Sequence, residues 1–178
     1  MKKRCEWAKD EPNTTYHDNE WGIPVHDDVI LFEFLILEGA QAGLSWSTIL
    51  NRRNGYRIAF SNFDVVAVSK YTQNHVKKLV QNKDIIRNKL KINSAINNAK
   101  QFIKIQKEFG SFDEYLWGFV NHKPIKNNFK KYSDLVCSSI ISEKLSQDLK
   151  KHGFTFVGPI ICYSLMQAVG MVNDHTSD

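Results

Sequence analysis

LFEFLILEGAQAGLSW, residues 31–46, is the stretch whose reading decides the fold. At a period of 3.6 residues it is a helix with apolar side chains on every side, which is the pattern of a helix buried within other helices. Glu38 stands in the middle of it. The chain then passes Gly39 and Gly43 and arrives at Trp46. At helical spacing Glu38 shares a face with Leu31, Phe34 and Leu35, all apolar. An unpaired carboxylate in such a setting is costly, so it is paired, protonated or functional. The competing reading is a half-exposed Glu at a helix C-terminus, since Gly39 follows directly. That end of a helix carries partial negative charge and disfavours an anion. The functional reading of Glu38 is therefore carried forward.

Helical signals continue on both sides of this stretch. Asp28 is suited to cap a helix running to about Glu38. SWSTILNRRNGYRIAF (45–60) places Trp46, Ile49, Leu50, Arg53, Tyr56 and Phe60 at helical spacing. Thr72 is suited to cap a helix over 72–82, and residues 86–109 give a long basic amphipathic helix with the stripe Ile92, Ala95, Ile96, Ala99, Phe102, Ile103 and Ile105. A further capped helix covers 111–121. Gly153 reads as the residue that ends SSIISEKLSQDLKKHG, and Pro159 as the first residue of the last helix. Strand alternation is nearly absent, so the expected fold class is all-α. The helices at 72–82 and 86–109 are expected to form a hairpin joined by NKDI, a helix start ringed by Lys and Arg that suits a phosphate group. An ordinary helical turn reads the same way.

Charge is segregated along the chain. Between Asp10 and Glu38 there are eight acids and no Lys or Arg, whereas 75–107 hold nine Lys and Arg against one acid, Asp84. The basic stretch suits contact with phosphates or, equally, a solvated helix face. No run of about eighteen apolar residues exists, so no membrane span is expected. The start, MKKRCEWAKDEPN, lacks the apolar region of a secretory signal. Three cysteines without paired spacing argue against a disulfide framework and for a cytoplasmic location.

YHDNEWG (16–22) gathers Tyr16, His17 and Trp21, and Trp46 follows close behind Glu38. Aromatic faces with a carboxylate at their edge form a recognition set for a flat cationic ligand. Any one ring taken alone reads as core; the ensemble with Glu38 does not. Cys5, His17 and His175 are of zinc-ligating type, but their spacing matches no short zinc motif. Cys162 reads as core and Cys137 as half-buried.

YHDNEWG, LEGAQAGLSW, GFVNHKP and GFTFVGPIICYSLMQAVGMVNDH together resemble the DNA-3-methyladenine glycosylase I family, with the motifs in the family's order from Cys5 to His175. The resemblance implies a helix-hairpin-helix glycosylase fold, all-α, with a base pocket between two lobes. It implies one domain over 1–178, in which the two terminal segments form a zinc-tethered lobe and about 64–121 form a basic hairpin lobe. Glu38 falls on the family's base-binding, catalytic carboxylate. Tyr16 and Trp46 fall on its pocket aromatics, with Trp21 beside them. Gln41, Ala42, Gly43 and Leu44 fall on the loop that fills the gap left by a flipped nucleotide. Cys5, His17 and His175 fall on structural zinc ligands; the family's fourth, a cysteine just beyond, has no counterpart up to Asp178. The family's second pocket tyrosine is replaced here, with Asn13 or Thr14 in its place.

The activity implied is hydrolysis of the N-glycosidic bond of 3-methyladenine in double-stranded DNA, releasing the free base, by a monomeric repair enzyme of the cytoplasm. A base alkylated at N3 is cationic and already a good leaving group, so the tasks left to the protein are flipping, discrimination and access of water. After NKDIIRNKLKI no carboxylate occurs until Glu108, and Lys83, Arg87, Lys89 and Lys91 read as phosphate contacts rather than covalent nucleophiles. Strand-cleaving lyase activity is therefore not expected. The rival readings are a non-catalytic binder of alkylated DNA and a small zinc-dependent helical interaction domain.

Overall fold

The structure is a computed structural model that describes residues 4–176. Its central element is the helix expected from the opening stretch, α2 (Asp28–Gln41), in which every residue from Leu31 to Ala40 is buried. Around it stand α1 (Asn13–Asn19), α3 (Trp46–Leu50), α4 (Arg53–Ala59), α5 (Val65–Ser69), α6 (Gln73–Leu79), α7 (Lys89–Phe109), α8 (Phe112–Gly118), α9 (Ile140–Lys151) and α10 (Pro159–Ala168). The fold is all-α. The extended structure among the described residues is one parallel pair of two-residue strands, β1 (Ile125–Lys126) and β2 (Val172–Asn173). It ties the segment after α8 to the segment after α10. α2 packs against α3, α7, α8 and α10, which is why no face of it could remain polar.

Several helix limits differ from the sequence reading, each for a local reason. Asp27, not Asp28, caps α2: its carboxylate accepts from the N–H groups of Val29 and Ile30 at 2.9 and 3.0 Å. The Asp28 carboxylate turns to the start of α8, where it accepts from the N–H groups of Phe112 and Asp113, and from the Gln106 amide, all at 2.8–2.9 Å. The run 45–60 is two helices, α3 and α4, broken at Asn51 and Arg52. α7 begins at Lys89 because the Asn88 side chain caps it, accepting from the Lys91 N–H at 3.1 Å. The connection between α6 and α7 therefore spans 80–88, longer than NKDI. It is pinned from outside the hairpin. The Ile86 N–H donates to the Tyr56 hydroxyl at 3.3 Å, and a Cβ placed on Gly55 would collide with the Asp84 carbonyl oxygen. Only glycine admits that approach.

Other expectations hold as read. Ser111 caps α8 and Pro159 opens α10. Gly153 follows α9 at φ +85°, a left-handed conformation open to glycine. The core is one cluster running from Cys5 to Val172, in which Phe32 of α2 meets Phe102 edge-on and Phe102 stacks on Phe112. Part of the acidic segment is consumed internally. Arg53 donates to Glu33 at 2.6 Å and to Glu20 at 2.7 Å, Arg57 donates to the same Glu33 oxygen at 2.9 Å, and Arg53 lies 5.1 Å from the Phe34 ring centre. This network joins α4 to α2 and to the end of α1. Among the described residues no helix is long and apolar enough to cross a membrane.

Candidate active site

Glu38 sits near the end of α2 with 5% of its surface exposed. The exposed part opens into a cavity of about 530 Å³. Burial alone pushes the carboxyl up to about 8, with no hydrogen bond acting to lower it. At neutral pH the protonated form of Glu38 is therefore favoured. Tyr16, Trp21 and Trp46 line the same cavity, as does Gln41, one helical turn beyond Glu38. The Tyr16 and Trp46 rings lie 5.4 Å apart, tilted by 54°. Burial raises the Tyr16 phenol well above its ordinary value, and Glu38 and Glu20 add to the effect. The phenol is thus a neutral hydrogen-bonding group. The four base-pocket candidates read from the sequence share one wall system.

In the altered segment before Tyr16, Asn13 and not Thr14 reaches the cavity. Its side chain lines the cavity and its amide nitrogen faces the Trp7 carbonyl at 3.5 Å, whereas the Thr14 hydroxyl turns away to Glu11. Residues the sequence reading missed complete the walls. Trp7 packs at 5.2 Å from Trp21 and 6.2 Å from Tyr16. Tyr163 and Gln167 face the cavity from α10, held from behind by the fully buried Asp174. That carboxylate accepts from the Tyr163 hydroxyl, the Gln167 amide and the Asn127 amide at 2.7–2.8 Å. The signal was present: Tyr163, Ser164 and Gln167 are the polar positions of a largely apolar helix, and Tyr163 and Gln167, four residues apart, share a face. The opposite lip, from 132–137, carries no such pattern. Cys137 is exposed there rather than half-buried, while Cys162 is core as read: its thiol donates to the Val157 carbonyl, and burial pushes it up to about 12.

The loop after α2 leaves Gly43 and Leu44 exposed beside the cavity, and the Ser45 side chain caps α3, which carries Trp46. Lys83, Arg87 and Lys89 are exposed around the α6–α7 connection. Lys91 is not: its ammonium donates to the carbonyls of Ala40 and Ala42 at 2.8 and 2.7 Å. The geometry thus separates it from the other three basic residues.

Cys5, His17 and His175 are neighbours. The Cys5 N–H donates to His17 Nε2 at 3.3 Å, and the two imidazole rings lie 4.8 Å apart. The opposite nitrogen of His17 faces Asp18 at 3.0 Å, and Nδ1 of His175 faces the Asn173 side-chain oxygen at 2.8 Å. One thiol and two imidazoles are a donor set suited to zinc. Among the described residues, however, no three His, Cys, Asp or Glu side chains stand at metal-ligating geometry.

A buried acid and several aromatic side chains thus line one cavity of an all-α fold. The methyladenine glycosylase family model matches residues 7–178, and the chain belongs to that family. It is 45% identical to DNA-3-methyladenine glycosylase 1 of Escherichia coli (strain K12) over 174 residues, covering 97% of this chain and 93% of the relative. A crystal structure of 3-methyladenine DNA glycosylase I (TAG) superposes with a TM-score of 0.96 at 42% identity, covering 98% of this chain and 97% of the other. A variant of such an enzyme in complex with 3-methyladenine superposes with a TM-score of 0.96 at 34% identity, covering 100% and 96%.

Proposed function

We propose that this protein excises 3-methyladenine from alkylated double-stranded DNA by hydrolysing the N-glycosidic bond. The observation that carries the reading is the meeting of Glu38 with Tyr16, Trp21 and Trp46 around one cavity. A solved relative of the same fold holds 3-methyladenine, which supports the choice of base. The N3-alkylated base is cationic, and aromatic faces attract it more than neutral adenine. Entry of the cation favours the ionised form of Glu38, and the carboxylate then accepts hydrogen bonds from the base edge. The neutral Tyr16 phenol adds a donor without adding charge. Because the leaving group already carries its positive charge, Glu38 acts as electrostatic partner and reader, not as an acid that protonates the base.

The remaining roles follow from position. Gln41, Gly43 and Leu44 fill the space vacated by the flipped nucleotide. The α6–α7 hairpin, as a helix-hairpin-helix element, meets the phosphate backbone through Lys83, Arg87 and Lys89. The enzyme acts as a monomer in the cytoplasm, in keeping with three free cysteines. A structural zinc ion would be held by Cys5, His17 and His175, which their donor types and proximity support although the three do not stand at ligating geometry; it would tie the two terminal segments together. The test of the activity is incubation with methylated duplex DNA followed by chromatography of the released material. Free 3-methyladenine, with the strand left uncut, is the expected result. Tight binding without release of base would leave a damaged-DNA binder, and no preference for alkylated DNA would leave an interaction domain.

A further inference from the structure

We infer that Lys91 is a positioning residue for the excision site: it fixes the end of the Glu38 helix and the loop that follows, instead of contacting a phosphate. The inference rests on the glycosylase reading above. Lys91 is the third residue of α7, on the same basic segment as Lys83, Arg87 and Lys89, yet its ammonium points inward. It donates 2.8 Å to the Ala40 carbonyl and 2.7 Å to the Ala42 carbonyl. These two acceptors flank Gln41, which lines the cavity, and lie two and four residues after Glu38. α2 ends there, because Ala42 leaves the helical conformation at φ −44° and ψ 116°. The last carbonyls of a helix have no intrahelical donor and carry its partial negative charge. A single ammonium with several donors answers both needs, reaching one carbonyl inside the helix and one just past it.

The consequence is mechanical. Gly43 and Leu44 are exposed and make no packed core of their own. Their path between Gln41 and the Ser45 cap is set by the Leu44 N–H, which donates to the Gln41 carbonyl at 2.6 Å, and by Lys91 on either side of Gln41. The seat of α7, which presents the neighbouring basic residues outward, is thereby coupled to the loop beside the cavity. Burial lowers the pKa of Lys91, in keeping with an inward-facing amine.

A phosphate contact and a positioning contact give different results in Lys91→Met, which keeps the chain length and removes the donors. Three quantities are compared with wild type: the salt dependence of binding to methylated duplex DNA, the single-turnover rate of base release at saturating DNA, and amide exchange across residues 39–46. The positioning role gives an unchanged salt slope and a release rate lower by on the order of 10²-fold. Exchange in 39–46 quickens while that in 53–59 does not. Lys91→Arg, whose fork can reach two carbonyls, restores most of the rate. A salt slope flattened by about one unit with an unchanged rate would show a phosphate contact and overturn the inference. So would unchanged exchange across 39–46. Amide exchange does not depend on activity, so a wild-type protein that releases no base sinks the glycosylase reading and still leaves Lys91 decided. Should Lys91→Met not fold, Lys91→Leu, which also removes the donors, is judged by the same criteria.

Discussion

At the scale of single residues, Glu38 was legible because its helical neighbours are apolar, and a carboxylate among them demands a reason. Its protonation state was not legible, since that depends on how completely tertiary packing buries the carboxyl. The raised carboxyl has two measurable consequences. In the folded protein Glu38 titrates at about 8, against 4.5 for the free group. A group raised in the folded state contributes stability below its unfolded value and loses it as pH rises through the folded value. Glu38→Gln is therefore expected to gain stability over wild type as pH rises from about 5 to 8, by up to about 4 kcal/mol at higher pH. Paired urea titrations across that range check it, and a constant difference between the two proteins would contradict it. The second consequence concerns the reaction. If ionised Glu38 is the competent form, kcat/KM rises with pH and levels off above about 8, because kcat/KM reports groups of the free enzyme. A flat profile from pH 6 to 9 would remove the ionisation from the account. Lys91 shows the opposite limit of sequence reading: among nine basic residues on one stretch, nothing local marks the one whose ammonium turns inward to another helix's carbonyls.

At the scale of elements, the sequence located the longer helices, missed the short α1 and α5, and misjudged several ends. Hydrophobic periodicity reports which residues face inward, and it continues smoothly across a break such as Asn51–Arg52 because both sides bury the same face. Capping went astray at α2 for a related reason. Two adjacent aspartates compete for one cap, and tertiary packing sends Asp28 to the start of α8 instead. The connection between α6 and α7 offers a direct check on how the hairpin is held. Gly55→Ala would place a methyl group against the Asp84 backbone carbonyl, which cannot rotate away as a side chain does. The expected result is a loss of about 1–3 kcal/mol in unfolding free energy and weaker DNA binding through the displaced hairpin. Wild-type stability would show that 80–88 yields freely and is not pinned by α4.

At the scale of the whole molecule, the segregation of charge survives folding only in part. Much of the acidic segment is consumed by Arg53, Arg57 and the α8 cap, whereas Lys83, Arg87 and Lys89 remain exposed. Lys89→Ala is accordingly expected to flatten the salt dependence of DNA binding by up to about one unit of log–log slope, equally on all sequences. An unchanged slope would move the phosphate contacts elsewhere. The two ends of the chain meet at His17 and His175, an arrangement that sequence spacing alone could not supply, because ligands far apart in sequence form no short motif. Elemental analysis is expected to find about one zinc per chain, lost in Cys5→Ser; wild type without zinc would return the three side chains to a purely packing role. The lip at 132–137 was likewise invisible, since only tertiary structure brings it to the cavity, whereas the α10 wall left a trace in the polar positions of an apolar helix. The central claim is that the cavity around Glu38 performs the excision. Its most direct test is single-turnover release of 3-methyladenine from methylated duplex DNA by wild type and by Glu38→Gln at pH 8, with both proteins shown to be folded. The account predicts release by wild type and a rate lower by on the order of 10²-fold in the variant; release by Glu38→Gln at the wild-type rate would contradict it.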